Sequence, residues 1–154
     1  MNFRSCYLFA DLGEAQVNRI TSLAKEIPMK KGQRIFTEGD EAVSLYVLKE
    51  GAVELMSKIE DEFEMPISIL RNAGDCFGAS SLVPPHAYSI SARCAGKGVL
   101  LAIERADLLR IIEEDHELGC IIMTNAARYF LEQLKHTRHE IKIHFTTLFR
   151  AMHR

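Results

Sequence analysis

The spacing of hydrophobic positions along this chain changes period twice. Val17, Ile20, Leu23 and Ala24 recur at helical spacing, and Asp11 followed by Glu14 has the form of a capping box, so an amphipathic N-terminal helix is predicted from Leu12 to about Leu23. From Glu26 to Ile103 the period drops to two. Short apolar runs at Ser44–Leu48, Ala52–Met56, Pro66–Leu70 and Val99–Ile103 alternate with turn signals at intervals of about eight to twelve residues. Gly39, Gly51 and Gly74 each end an apolar stretch inside a polar cluster, where a chain reversal favours a residue that tolerates positive φ. This rhythm predicts an antiparallel β-roll or jelly roll, not a parallel sheet alternating with helices.

After Glu104 the helical period returns. Leu108, Ile111 and Ile112 mark one short helix, and Asp115 or a neighbour can cap the next. From Glu117 nearly to the end there is no proline, and Gly119 is the sole glycine. Placing Ala127, Leu134, Ile141 and Leu148 at heptad position a puts Phe130, Thr137, His144 and Ala151 at d, giving a clean a row and a mixed d row. A small roll cannot bury so long a helix along its whole extent, so part of its stripe is expected to meet a second copy of the chain in a homodimer. The predicted organisation is a β-roll domain with flanking helices over residues 1–116 and a long dimerisation helix over 117–154. The fold class is α+β, mainly β.

Composition narrows this picture. With 154 residues, 47% of them hydrophobic, the chain can bury one core of ordinary size. A net charge of −2 argues against wholesale binding to nucleic acid or membrane surfaces. There is no apolar run of about 18 residues for a membrane span, and the opening MNFRSCYLFADL lacks a sustained hydrophobic signal core, so a cytoplasmic location is expected. Cys6, Cys76, Cys94 and Cys120 form no C-x-x-C pair and read as buried reduced thiols, with Cys6, close to the terminus, the one to watch. Glu60, Asp61, Glu62 and Glu64 read as a solvated hairpin loop spanning Ile59 to Glu64. His136 and His139 have metal-binding spacing but no third ligand in register, so no metal site is assigned. No Ser-His-Asp or Cys-His arrangement and no paired-carboxylate motif is present, so an enzyme is not expected.

The segment Cys76–Ala92, reading CFGASSLVPPHAYSISA, holds the most chemistry. Phe77, Gly78, Ser81, Leu82, Pro85, Ser89, Ile90 and Ala92 resemble the phosphate-binding cassette of the cyclic nucleotide-binding domain family, F-G-E-x-[AS]-L followed by P-R-[ST]-A-[ST]-V-x-A. Gly32, Glu38-Gly39-Asp40, Tyr46-x-Leu48-x-x-Gly51-x-Val53 and Leu70-x-x-x-Gly74 extend the resemblance over roughly residues 7 to 135. It implies a double-stranded β-helix like the sensor domains of catabolite activator-type regulators, paired in parallel through the long helix. By that resemblance Phe77, Gly78, Ala79, Ser80, Ser81, His86, Ala87, Tyr88 and Ser89 line a ligand pocket, and Gln133 can cap a bound base.

Two contacts depart from the family pattern. The glutamate that holds the ribose hydroxyl is Ala79 here, and the arginine that holds the cyclic phosphate is His86. An imidazole is only partly charged near neutral pH and replaces a forked guanidinium incompletely. Two losses of about 2 kcal/mol each would weaken binding roughly a thousandfold. What survives is backbone: a short helix begun by Ser80 and Ser81 directs N–H groups at an anion, with further donors from Ala87 to Ser89. Pro84-Pro85 stiffens the loop, Tyr88 replaces a small residue and is expected to fill or reshape the pocket, and Arg93 is a possible helper. No cofactor is assigned. A cyclic nucleotide, another phosphorylated ligand, an apolar or aromatic effector and haem all stay open, as does a vestigial pocket in a ligand-free scaffold. The tail after Leu148 is too short for a helix-turn-helix, so direct DNA binding is not expected; an effector-controlled module acting on an unidentified downstream protein is.

Overall fold

The computed structural model describes residues 3–154, so the first two residues of the predicted roll domain lie outside the described residues. Eight strands form two antiparallel four-stranded sheets. The first holds β1 (Lys25–Met29), β8 (Gly98–Glu104), β3 (Ser44–Glu50) and β6 (Cys76–Phe77) in that order; the second holds β2 (Arg34–Phe36), β7 (Ser91–Cys94), β4 (Val53–Glu60) and β5 (Phe63–Leu70). The α+β jelly roll expected from the period-two region is what the chain forms.

Strand alternation divides the core in two. On β3 and β8, Leu45, Val47, Leu101 and Ile103 face the helices, while Leu48 and Leu100 face the roll interior, as a pleat with successive side chains on opposite faces requires. The helix-side core adds Phe3, Leu8, Phe9, Ile20, Leu108, Ile111, Leu118 and Ile122. The interior core packs Met29, Phe36, Val53, Leu55, Phe77 and Tyr88. At the β3–β4 turn, Gly51 takes φ 97°, and a Cβ there would stand 2.7 Å from the Lys97 carbonyl oxygen, so both conformation and space require glycine.

Three expectations are corrected. Helix α1 runs Glu14–Thr21, shorter than predicted, and is capped at Gly13, whose N–H donates to Gln16 Oε1 at 2.9 Å. Asp11 adopts a left-handed φ of 68° upstream of the cap, so it takes no part in a capping box. The acidic loop is mostly strand: only Asp61 and Glu62 lie between β4 and β5, and Glu64 makes a bidentate pair with Arg34 at 2.9 Å for each bond. That pairing holds the Glu64 carboxyl below its usual range. Finally, Cys120, expected to be buried, is exposed, while Cys6, Cys76 and Cys94 are the buried thiols expected.

Helix α2 (Arg105–Glu114) leads directly into α3 (His116–Met152), a single helix of 37 residues. Asp115 caps it, accepting from Leu118 N–H at 3.0 Å. Gly119 lets the two helices touch, since a Cβ there would lie 2.7 Å from Ile112 Cγ2. The first turns of α3 are buried through Leu118, Ile122, Asn125 and Ala126; beyond them Leu131, Leu134, Ile141, Phe145, Leu148 and Met152 are exposed. Those six residues and Arg138 follow one line of alternating three- and four-residue steps. Phe130, Ile143 and Phe149 of the same helix are exposed as well. Among the described residues, no helix is long and apolar enough to cross a membrane, and no group of three or more His, Cys, Asp or Glu could hold a metal ion.

Candidate functional site

The cassette begins where β6 ends. Phe77 pairs with Tyr46 of β3, and the chain then turns at Gly78, with φ 82° and ψ 21°, into a 3-10 turn over Ala79–Leu82. A Cβ on Gly78 would lie 3.2 Å from Ser44 O and 3.3 Å from Tyr88 Cε1, a tight approach that adds to the preference for glycine set by the left-handed φ. Within the turn, Ser81 N–H donates to Gly78 O at 3.0 Å. The Pro84-Pro85 bond is cis, and His86 follows at φ 57°. The next residues run antiparallel to Gly39–Ala42: Ala42 N–H donates to His86 O at 2.7 Å, Tyr88 N–H to Asp40 O and Gly39 N–H to Tyr88 O, both at 2.9 Å, and Ala87 forms a bridge with Glu41.

A cavity of about 250 Å³ lies between this segment and α3. The cassette contributes Phe77, Gly78, Ala79 and Ser80, and the approach to β7 contributes Ser89 and Ile90. Leu55, Ile67 and Ser68 come from β4 and β5, while Tyr129, Phe130, Gln133 and Thr137 come from α3, with Tyr7 of the N-terminal segment behind them. Five of the nine expected pocket residues thus share one cavity wall, namely Phe77, Gly78, Ala79, Ser80 and Ser89. Gln133 lines it too.

Ser81, His86, Ala87 and Tyr88 do not line the cavity. Ser81 is fully buried, and its hydroxyl has no partner among the described residues. His86 places Nδ1 2.8 Å from Ser81 O, a contact that holds the ring back against the cassette turn. Ala87 is occupied by its bridge with Glu41. Tyr88 enters the interior core instead of the cavity, stacked on Phe36 at 3.7 Å and 6°. Its hydroxyl donates to Ser44 O at 2.8 Å and accepts from Ser44 N–H at 3.2 Å. Burial pushes this phenol above its ordinary value, partly offset by the Ser44 bond. Arg93 is no helper either: its guanidinium pairs with Glu54 at 2.6 Å.

Among the described residues, none that lines the cavity is charged. Tyr7 and Tyr129 stack at 4.1 Å and 15°, and burial raises both phenols, Tyr7 further through the neighbouring Cys76, Tyr129 and Cys6. Asn125 ties the Tyr7 segment to α3, its Nδ2 donating to Leu8 O at 3.1 Å and Ala10 O at 2.8 Å. The lining residues that sequence reasoning missed come chiefly from α3, β4 and β5. Phe130 and Thr137, at d positions of the heptad, carry a signal in the helical spacing they share with Gln133, and both line the cavity.

Residues 26–115 match the profile of the cyclic nucleotide-binding domain. In three dimensions the chain is similar to the catabolite activator protein of Thermus thermophilus, with 26% identity and a TM-score of 0.75 over 89% of this chain and 62% of that one. The chain therefore spans less than two thirds of that protein's length. A cyclic nucleotide-binding protein of Geobacter metallireducens GS-15 is 31% identical, with a TM-score of 0.71 over 85% of this chain and 94% of that one. The sensor domain of the transcriptional regulator DNR from Pseudomonas aeruginosa shares the fold at 17% identity, with a TM-score of 0.69 over 86% of this chain and 88% of that one. No curated protein matches the sequence.

Proposed function

The chain belongs to the cyclic nucleotide-binding domain family, and from that premise we propose that it is a small-molecule-sensing regulatory module. An effector enters the cavity between the roll and α3, and its occupancy is passed along α3 to a partner. The observation that carries this reading is that α3 itself supplies a wall of the cavity, through Tyr129, Phe130, Gln133 and Thr137, before continuing as an exposed apolar stripe. A ligand touching those side chains has different contacts if the helix tilts, which is what a population shift requires.

In this reading residues 1–116 form the sensing roll and 117–154 the output helix, which pairs with a second copy along Leu131, Leu134, Ile141, Phe145 and Leu148. The module acts in the cytoplasm on a downstream protein, by binding and not by catalysis. Calorimetric titration with cyclic AMP and cyclic GMP, with a thermal-shift panel of nucleotides, haem and aromatic acids alongside, tests it. A saturable effector that shifts the melting temperature is the expected result. Silence across the panel would move the reading to a ligand-free scaffold that keeps the fold.

A further inference from the structure

Resting on the reading of the cavity as an effector site, we infer that its ligand is a neutral, planar molecule of one or two aromatic rings with hydrogen-bonding groups at its edge, and that anions such as cyclic nucleotides are disfavoured. The walls are the first reason. Tyr7, Phe77, Tyr129 and Phe130 supply ring surface, and Leu55, Ile67 and Ile90 supply aliphatic surface, none of it charged. An anion entering such a space leaves water without gaining a counter-charge, which is the costly case of burial.

Three basic side chains in and around the cassette are engaged elsewhere. His86 is held at the Ser81 carbonyl, Arg93 pairs with Glu54, and Arg105 bonds Ala42 O and Glu41. The N–H groups of Ser81, His86 and Tyr88, which lie off the cavity wall, donate to backbone carbonyls, and the wall residues Ala79, Ser80 and Ser89 bring only neutral backbone N–H groups. What the cavity offers a ligand edge is neutral: the hydroxyls of Ser68, Ser80 and Ser89 and the amide of Gln133. Its volume of about 250 Å³ falls just under the usual range of roughly 300–1,000 Å³ for small-molecule sites, which suits one or two rings.

Adenine, adenosine and cyclic AMP share a ring system and differ in charge, so they separate the possibilities when titrated into the full chain. The expected result is that adenine or adenosine binds about tenfold more tightly than cyclic AMP. Cyclic AMP binding as tightly as the neutral probes, or more tightly, would overturn the inference while leaving the effector reading intact. No binding of these probes at millimolar concentration, and none of indole or benzamide, would overturn both. A variant fixes the location: Gln133 is exposed on α3, so Gln133→Trp should fold normally, fill the cavity and weaken the bound neutral probe at least tenfold. Unchanged affinity in that variant would place the binding elsewhere and overturn the inference.

Discussion

Tyr88 shows how one side chain can exchange a ligand contact for a structural one. Its hydroxyl satisfies both the N–H and the C=O of the buried Ser44, so Tyr88→Phe should cost about 1–3 kcal/mol, read as a lower midpoint in urea denaturation. Tyr88 also belongs to a set of buried acids, with Tyr7, Tyr129 and Cys76, that burial holds protonated above their ordinary values. As the pH passes the ordinary cysteine value of 9.0 and then the ordinary tyrosine value of 10.0, the unfolded chain releases these protons and the folded chain keeps them. The unfolded state then binds fewer protons, and stability falls as pH rises. Urea midpoints should be level in this respect between pH 7 and 8 and drop clearly by pH 11. The double substitution Ala79→Glu with His86→Arg tests the cassette itself. Restoring a carboxylate and a guanidinium should tighten cyclic AMP binding by about tenfold or more in calorimetry, reflecting charged hydrogen bonds of about 1.5–3 kcal/mol each. No gain would mean that the 83–86 turn aims position 86 away from the cavity whatever its side chain.

Among the elements, the strands and α3 were legible because their signals are local. Alternation along β3 and β8, positive-φ glycines at the reversals and the Asp115 cap can each be read within a few residues. The start of α1 was not, because Asp11 and Glu14 have the spacing of a cap, yet Asp11 turns left-handed and Gln16 reaches back to Gly13 instead. The cavity was half legible. Its cassette wall is contiguous in sequence, but Leu55, Ile67, Tyr129 and Tyr7 meet only through tertiary packing. His86 occupies the arginine's place in sequence order while its turn directs it at Ser81. Packing also makes specific demands on elements. Gly98 sits where β8 passes β3, and a Cβ there would overlap the Glu50 carbonyl, with the carbonyl carbon only 2.6 Å away. Gly98→Ala should therefore destabilise the fold by at least about 2 kcal/mol, measurable as a loss of melting temperature. Asn125→Ala should release Leu8 O and Ala10 O from α3, seen as faster amide exchange confined to the N-terminal segment.

At the scale of the whole molecule, the exposed line on α3 carries six large apolar side chains, which supports the proposed pairing with a second copy. Replacing both Leu134 and Ile141 with Glu should halve the solution mass measured by sedimentation, whereas Arg138→Leu, which removes a charge from the middle of the seam, should tighten self-association. An unchanged mass in the double variant would rule out this seam. The geometry of α3 has one more consequence. The roll holds the helix near Tyr129, and Met152 lies about 35 Å farther along at 1.5 Å per residue, so a tilt of only about 10° at the cavity sweeps the far end through about 6 Å. A rearrangement too small to resolve at the ring stack becomes a displacement that a pair of spin labels can measure, and the tip of the helix is where such an instrument should be attached.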